Sequence, residues 1–583
     1  MPNSTFRAAA FRLTTSLLTA SLLTSHLAAA QAPAVGKLQL AQSLPLGASE
    51  ALTGAVQLPE GRTALFIPSV SEPTVRVQCL GPDGRTAWTA KLVRHQSPTE
   101  FRALLDFAFL EGRQSKEERE IRLKANLCPL NVFTSEGRIT VAERLTEQAF
   151  KKMPKRDAAG LAAEQLWVQQ LDERGQLTSV TFAPRPEPQR NRAEVEVVGA
   201  FAEGTVYAEI VSEMFKERAE EQLYFIDRYD LQTKRVSRQA LTLPQVPERY
   251  RMMSGFYFWY RDWAFLGHRA NQNYLFRRSL ASEANPKLRR SPLIYEFLVL
   301  DNQGGVVNSF STTLGPPAGF RLTYSGRLTD TGEMQHRPRL YKQTVSRNTY
   351  EIWDMWESYA GGFGSPVLDY ATGDVLVHAE YDPGAVPEPA ISYELSGLLL
   401  RRYSAQGKLL AQADVPYTKE MRKTAGFEFS VRVNQSRTTG LSIDPLSGRL
   451  SYSFRKNDMR FVGIGYLSLA SDFSHPVFTA LREYTPTFFK RPLTNVYYAG
   501  PAYLNPTRTL HLPSYLYHQP QPADPPLYAE LHKLRQATPL EPSAYLANES
   551  YFFLLSATGP GQALVVEHPQ TAGGKVRVFT YAK

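Results

Sequence analysis

Cysteine is nearly missing from this sequence: Cys79 and Cys128 are the only two in 583 residues. No C-x-x-C pair can be built from them, which excludes a zinc ribbon, a four-cysteine iron–sulfur centre and a thioredoxin-like redox pair. A single disulfide, Cys79 to Cys128, would close a loop of about 50 residues and contribute about 4 kcal/mol in the chain-entropy model. Two separate buried thiols are the equal alternative. Catalytic signatures are missing too. There is no H-E-x-x-H, no G-x-S-x-G, no G-x-x-x-x-G-K-[ST] and no EF-hand loop, so no zincin site, nucleophile elbow, phosphate loop or calcium loop is expected. The ten histidines are scattered, and neither a metal nor a cofactor is expected. After residue 30 no apolar run approaches the roughly 20 residues that spanning a bilayer needs, so the mature chain should have no transmembrane segment.

What is present begins with a leader. Arg7 and Arg12 precede the Leu-rich run from Ser16 to Leu27, which ends in Ala28-Ala29-Ala30. That pattern is a secretory signal peptide with cleavage near Ala30. Residues 31–583 are then expected to be one secreted or periplasmic domain, monomeric. Hydrophobic residues make up 43% of the chain and aromatics 11%, enough for a large core.

A hairpin recurs along that mature chain: an apolar strand, a short turn built on Asp, Ser, Gly or Asn, and a second strand. Copies run from Val75 to Lys91, Leu130 to Leu145, Leu166 to Phe182, Leu223 to Leu243, Tyr295 to Leu314, Leu398 to Val415 and Gly465 to Leu481. Period-two alternation and β-branched enrichment mark strands at Thr74–Cys79, Thr205–Val211, Asp374–Glu380 and Gly448–Phe454. Helical patterns are few: Glu100 to Leu110, Gly112 to Lys124 and part of Thr146 to Gln170. The fold expected is all-β, a β-propeller-like array of about 6 to 8 antiparallel blades, with a small charged or partly helical insertion near residues 97–126. The turns Asp369-Tyr-Ala-Thr-Gly373 and Asp444-Pro-Leu-Ser-Gly448 resemble the D-x-x-[ST]-G turns of several bacterial propeller families. Asp83 to Trp88 resembles the Asp-box of sialidase-type propellers, but its Gly sits one place early and no second copy follows. No catalytic residue is inferred from it.

Charge departs from this repeat in one place. Between Gln245 and Tyr350 stand fifteen Lys and Arg against seven acids. The excess equals that of the whole mature chain, so the remainder is formally neutral. The same region holds Tyr257, Trp259, Arg261, Trp263, His268, Arg277 and Arg278, with Trp353 and Trp356 just beyond it. Arginine forks match carboxylate and sulfate, and indole or phenol faces stack on sugar rings. These nine residues form the candidate binding set. The function expected is a non-catalytic scaffold that binds an acidic glycan or an envelope protein and no nucleic acid. The alternative is a propeller hydrolase or lyase acting on acidic glycans. Asp354 and Glu357 are a weak acid–base pair for that alternative, because they share a face only on a helix.

Overall fold

The computed structural model describes residues 36–94 (without 49, 51, 53, 70, 71 and 73), 131–145, 160–185, 193–215, 222–244, 263–280, 293–322 (without 316 and 319), 366–383, 396–424, 441–484 (without 444–447, 459 and 460), 509–511, 526–536, 553–567 and 574–582. The leader, the 97–126 insertion, Cys128 and residues 146–159 lie outside them. Within the stretch whose pattern suggests a partial helix, Leu166–Leu171 is a strand.

The described residues form seven antiparallel sheets, and the fold is an all-β propeller. Blade 1 contains Gly54–Gln57, Thr63–Pro68, Thr74–Leu80 and Thr86–Val93, in that order from the innermost strand outward. Blade 2 contains Asn131–Ser135, Arg138–Arg144, Leu166–Leu171 and Leu177–Phe182, and blade 3 Ala193–Glu203, Val206–Phe215, Gln222–Asp230 and Arg235–Leu241. Blade 4 contains Ala264–Arg269, Gln272–Leu280, Leu293–Asp301 and Val306–Leu314. In blade 5 two short pieces, Phe320–Leu322 and Val367–Leu368, share the inner edge of Val375–Pro383, followed by Gly397–Tyr403 and Leu409–Pro416. Blade 6 contains Leu441–Ile443, Leu450–Asp458, Phe461–Leu469 and Val477–Tyr484. Blade 7 runs outward through Thr509–His511, Phe553–Gly559, Gln562–Glu567 and Gly574–Ala582. Its outermost strand, Lys37–Leu46, comes from the other end of the chain and closes the ring.

Blades 1 to 5 bury both faces, which is why their middle strands read as continuous apolar runs. In Thr63–Pro68 every residue is buried. Leu65 and Ile67 pack toward blade 7, with Val566 and Val576, while Ala64 and Phe66 pack toward blade 2, with Val132 and Ile139. Equivalent clusters join blades 2 and 3, 3 and 4, 4 and 5, and 5 and 6.

The recurrent turn has a second use at these joints. Asp172 Oδ1 accepts the backbone N–H groups of Arg174 and Gln176, and Asp301 Oδ1 those of Gln303 and Gly305. Ser404 Oγ does the same for Gln406 and Lys408. The left-handed glycine of the turn then lies against the outermost strand of the preceding blade. A Cβ on Gly175 would sit 2.7 Å from the Trp88 ring, and one on Gly407 2.5 Å from that of Phe310. Trp88 also donates its indole N–H to the Glu173 carbonyl, at 2.9 Å. The residues resembling an Asp-box thus make an inter-blade joint. Gly175→Ala is expected to cost about 2–4 kcal/mol, from left-handed strain plus the clash. Gly160 has a similar φ of +77° and nothing within 4 Å of its Cβ position, so Gly160→Ala should cost only about 1–2 kcal/mol. Equal denaturant midpoints for the two variants would refute the joint.

Candidate functional site

In blades 1 to 6, antiparallel strand order puts the connections from first to second strand, and from third to fourth, at one end of the propeller. Those that are described are tight turns, such as Gly204–Thr205, Ala270–Asn271 and Gly81–Arg85. The opposite end takes the second-to-third connections and the crossings between blades. It therefore receives the long segments 94–130, 145–165, 242–263, 281–292 and 417–440. Loops on a rigid scaffold are where binding residues concentrate.

The candidate residues divide on this frame. Tyr257, Trp259 and Arg261 belong to the crossing from blade 3 to blade 4, and Trp353 and Trp356 to the segment that interrupts the inner strand of blade 5; all five lie outside the described residues. Arg278 lies on the strand Gln272–Leu280, opposite Tyr295. Trp263 and Arg277 are both 4% exposed and face each other, the guanidinium 4.6 Å from the centre of the indole. Arg277 donates to both oxygens of Glu296, at 2.6 and 3.0 Å, and to the Pro244 carbonyl at 3.0 Å. Arg269, from the same basic stretch, donates to the Tyr370 and Ala371 carbonyls of blade 5. These groups build the wall between blades. Cys79 is buried in the core between blades 1 and 2 with no disulfide partner among the described residues, and burial pushes its thiol up to about 11.

The strongest electrostatics lie between blades 2 and 3, on residues that composition does not single out. Glu209, 3% exposed, accepts from Arg144 at 2.6 Å and from Arg185 at 2.8 Å. The Tyr207 hydroxyl donates to its other oxygen at 3.1 Å. Across the sheet, Arg238 grips both oxygens of Asp227, at 2.6 and 2.9 Å, and reaches Glu213 at 2.6 Å. Three guanidinium groups thus face three carboxylates. Burial alone would raise the Glu209 carboxyl, but the charges and hydrogen bonds of Arg144 and Arg185 outweigh it and bring it down to about 2. Burial, reinforced by Glu209, lifts Tyr229 to about 12. A carboxylate held that low cannot exchange a proton near neutral pH, so the cluster acts as an electrostatic staple. Among the described residues no group of three or more His, Cys, Asp or Glu is arranged to hold a metal ion.

No family model matches the chain, and no curated protein matches it either. Solved structures with a similar course of chain include polysaccharide lyase Uly1, at 8% identity and a TM-score of 0.34 over 94% of this chain and 99% of that one. The GH93 α-L-arabinofuranosidase of Fusarium graminearum, complexed with arabinobiose, matches at 8% and 0.27 over 78% and 93%. The α-L-arabinanase of Penicillium chrysogenum matches at 8% and 0.24 over 65% and 97%. Likenesses this distant say nothing about chemistry, and the fold rests on the strand pairing itself.

Proposed function

We propose that this protein is a secreted binding protein that holds an acidic polysaccharide at the loop-bearing end of its propeller without cleaving it. One observation carries the reading. The basic, aromatic segment 245–262 leads straight into the innermost strand of blade 4, and segment 323–366 leaves and rejoins the innermost edge of blade 5. Those two edges touch: a Cβ on Gly267 would meet Leu368 and Tyr370. Two segments far apart in sequence therefore start from the inner edges of neighbouring blades, with Tyr257, Trp259 and Arg261 in one and Trp353 and Trp356 in the other. Arginine grips the carboxylate or sulfate, and the rings stack on the sugars.

The test is an array of acidic and neutral glycans at two salt concentrations. Binding to acidic polymers should fall as salt rises, because exposed charge pairs are screened beyond about 8 Å at physiological ionic strength. The Trp259→Ala, Arg261→Ala double variant should bind at least about tenfold more weakly, a loss of about 1.4 kcal/mol. A blank or salt-insensitive array overturns the acidic-glycan reading. Release of new chain ends from any bound glycan favours the hydrolase or lyase alternative.

A further inference from the structure

One described candidate residue is neither ion-paired nor closed off, and a buried polar relay orients it. His268 is the penultimate residue of Ala264–Arg269, the innermost strand of blade 4, next to the tight turn at Ala270–Asn271. Its ring lies flat on Phe201 from the innermost strand of blade 3, with centroids 4.9 Å apart and planes 11° apart. Nδ1 is 3.0 Å from Asn273 Oδ1. The far side of Asn273 decides which atom carries the proton. Its Nδ2 donates to the backbone carbonyl of Asp301 and to Asn302 Oδ1, both at 3.4 Å. A backbone carbonyl only accepts, so the amide nitrogen points that way and its oxygen faces the histidine. Nδ1 is then the N–H, and Nε2 presents a bare lone pair. Nε2 makes no hydrogen bond to any described residue, although the ring is only partly buried.

A histidine that merely filled space would need none of this. Asn273 is 0% exposed and Asn302 5%, and Asn302 Nδ2 has no partner among the described residues. Buried amides left short of partners are costly. A phenylalanine would keep the stack without the relay. Burial lowers the pKa of the imidazole, against the opposing effects of Asn273 and Glu203, so the ring is neutral at pH 7. We propose that His268 is the hydrogen-bond acceptor of a second binding site, at the tight-turn end of the channel, which takes a hydroxyl or ammonium donor. The nearby Glu203 charge and the Nε2 lone pair both disfavour an anion. This site is independent of what binds at the other end.

The experiment uses the full secreted chain carrying 15N-labelled histidine, with glucosamine and glucuronate as probes. At pH 7 the His268 Nε2 resonance should be pyridine-like and Nδ1 pyrrole-like. Glucosamine should shift the Nε2 resonance more than the anionic glucuronate does. Asn273→Leu should pull both nitrogens toward averaged values as the tautomers mix. His268→Phe should weaken glucosamine binding about tenfold, the effect of one lost hydrogen bond. A pyrrole-like Nε2 in the unsubstituted protein, an equal response to the two sugars, or no response to either overturns the proposal. Those readings do not depend on how well any variant folds.

Discussion

Glu209→Gln is expected to cost about 3–5 kcal/mol in urea unfolding, the range for leaving a buried charge without its partner. The substitution preserves volume and keeps an oxygen for the Tyr207 hydroxyl, so packing alone predicts almost no effect. What it removes is the negative charge that Arg144 and Arg185 share at 2.6 and 2.8 Å. Adding Arg185→Gln removes one of the stranded cations, so the double variant should lose less than the two single losses added together, with a coupling of at least about 1 kcal/mol. A loss below about 1 kcal/mol for Glu209→Gln would show that the network is electrostatically neutral to folding. Acid should reproduce part of the effect. Glu209 titrates at about 2 in the fold against an ordinary value of 4.5, and a depressed carboxylate contributes stability above its unfolded value. By proton linkage that stability amounts to about 3 kcal/mol, and it disappears as the pH falls from about 4.5 through 2. Unfolding midpoints measured from neutral pH down to about pH 2 should therefore fall more steeply for the unsubstituted protein than for Glu209→Gln.

Removal of residues 1–46 should abolish cooperative folding. The strand Lys37–Leu46 pairs along Gly574–Ala582, with one irregularity between Leu40 and Gln42. Leu44 and Leu46 enter the core with Leu52, Ile67, Val576 and Val578. Gln42 bridges to blade 1 through the Gly84 carbonyl at 2.6 Å and the Thr86 hydroxyl at 3.2 Å. The helix Pro526–Gln536, with Leu527 and Leu531 fully buried, packs against the same strand. Losing two core leucines alone costs about 4–10 kcal/mol, comparable to the whole stability of a typical domain, and the truncation also bares a sheet edge open to aggregation. Leu44→Asp with Leu46→Asp should behave like the truncation while leaving the chain length unchanged. A peptide spanning residues 36–47, added in trans, should raise the melting temperature of the truncated chain in proportion to its concentration. If the truncated protein stays monomeric and melts within a few degrees of the full chain, the ring does not depend on this closure.

The hairpins could be read from the sequence because their signals are local. A carboxylate or hydroxyl that caps its own turn, and a glycine with positive φ, both fall within five residues. All seven expected hairpins are present, but those at Leu130 and Leu166 belong to the same blade. Blade 7 was not legible, because its outermost strand precedes every other blade in the chain and no turn joins it to its neighbour. Charge counting pointed to Arg277 as a ligand group, yet Arg277 stands opposite Glu296 on the adjacent strand. Only the pairing register reveals that partner. Arg144, Arg185 and Glu209 gave no signal at all, since Arg144 and Arg185 come from blade 2 and Glu209 from blade 3.

By itself, then, the sequence determined the class of structure: strand periodicity, turn chemistry and a dearth of cysteine leave an all-β propeller with few other solutions. The tertiary structure decided which charges remain for a ligand. Burial in a medium of low dielectric makes a guanidinium seek the nearest carboxylate, and the packing of one blade on the next determines which carboxylate that is. Arg277 and Arg185 were taken up in this way. His268 was not, because the group that reached its ring first was an amide, which holds one nitrogen and leaves the other open.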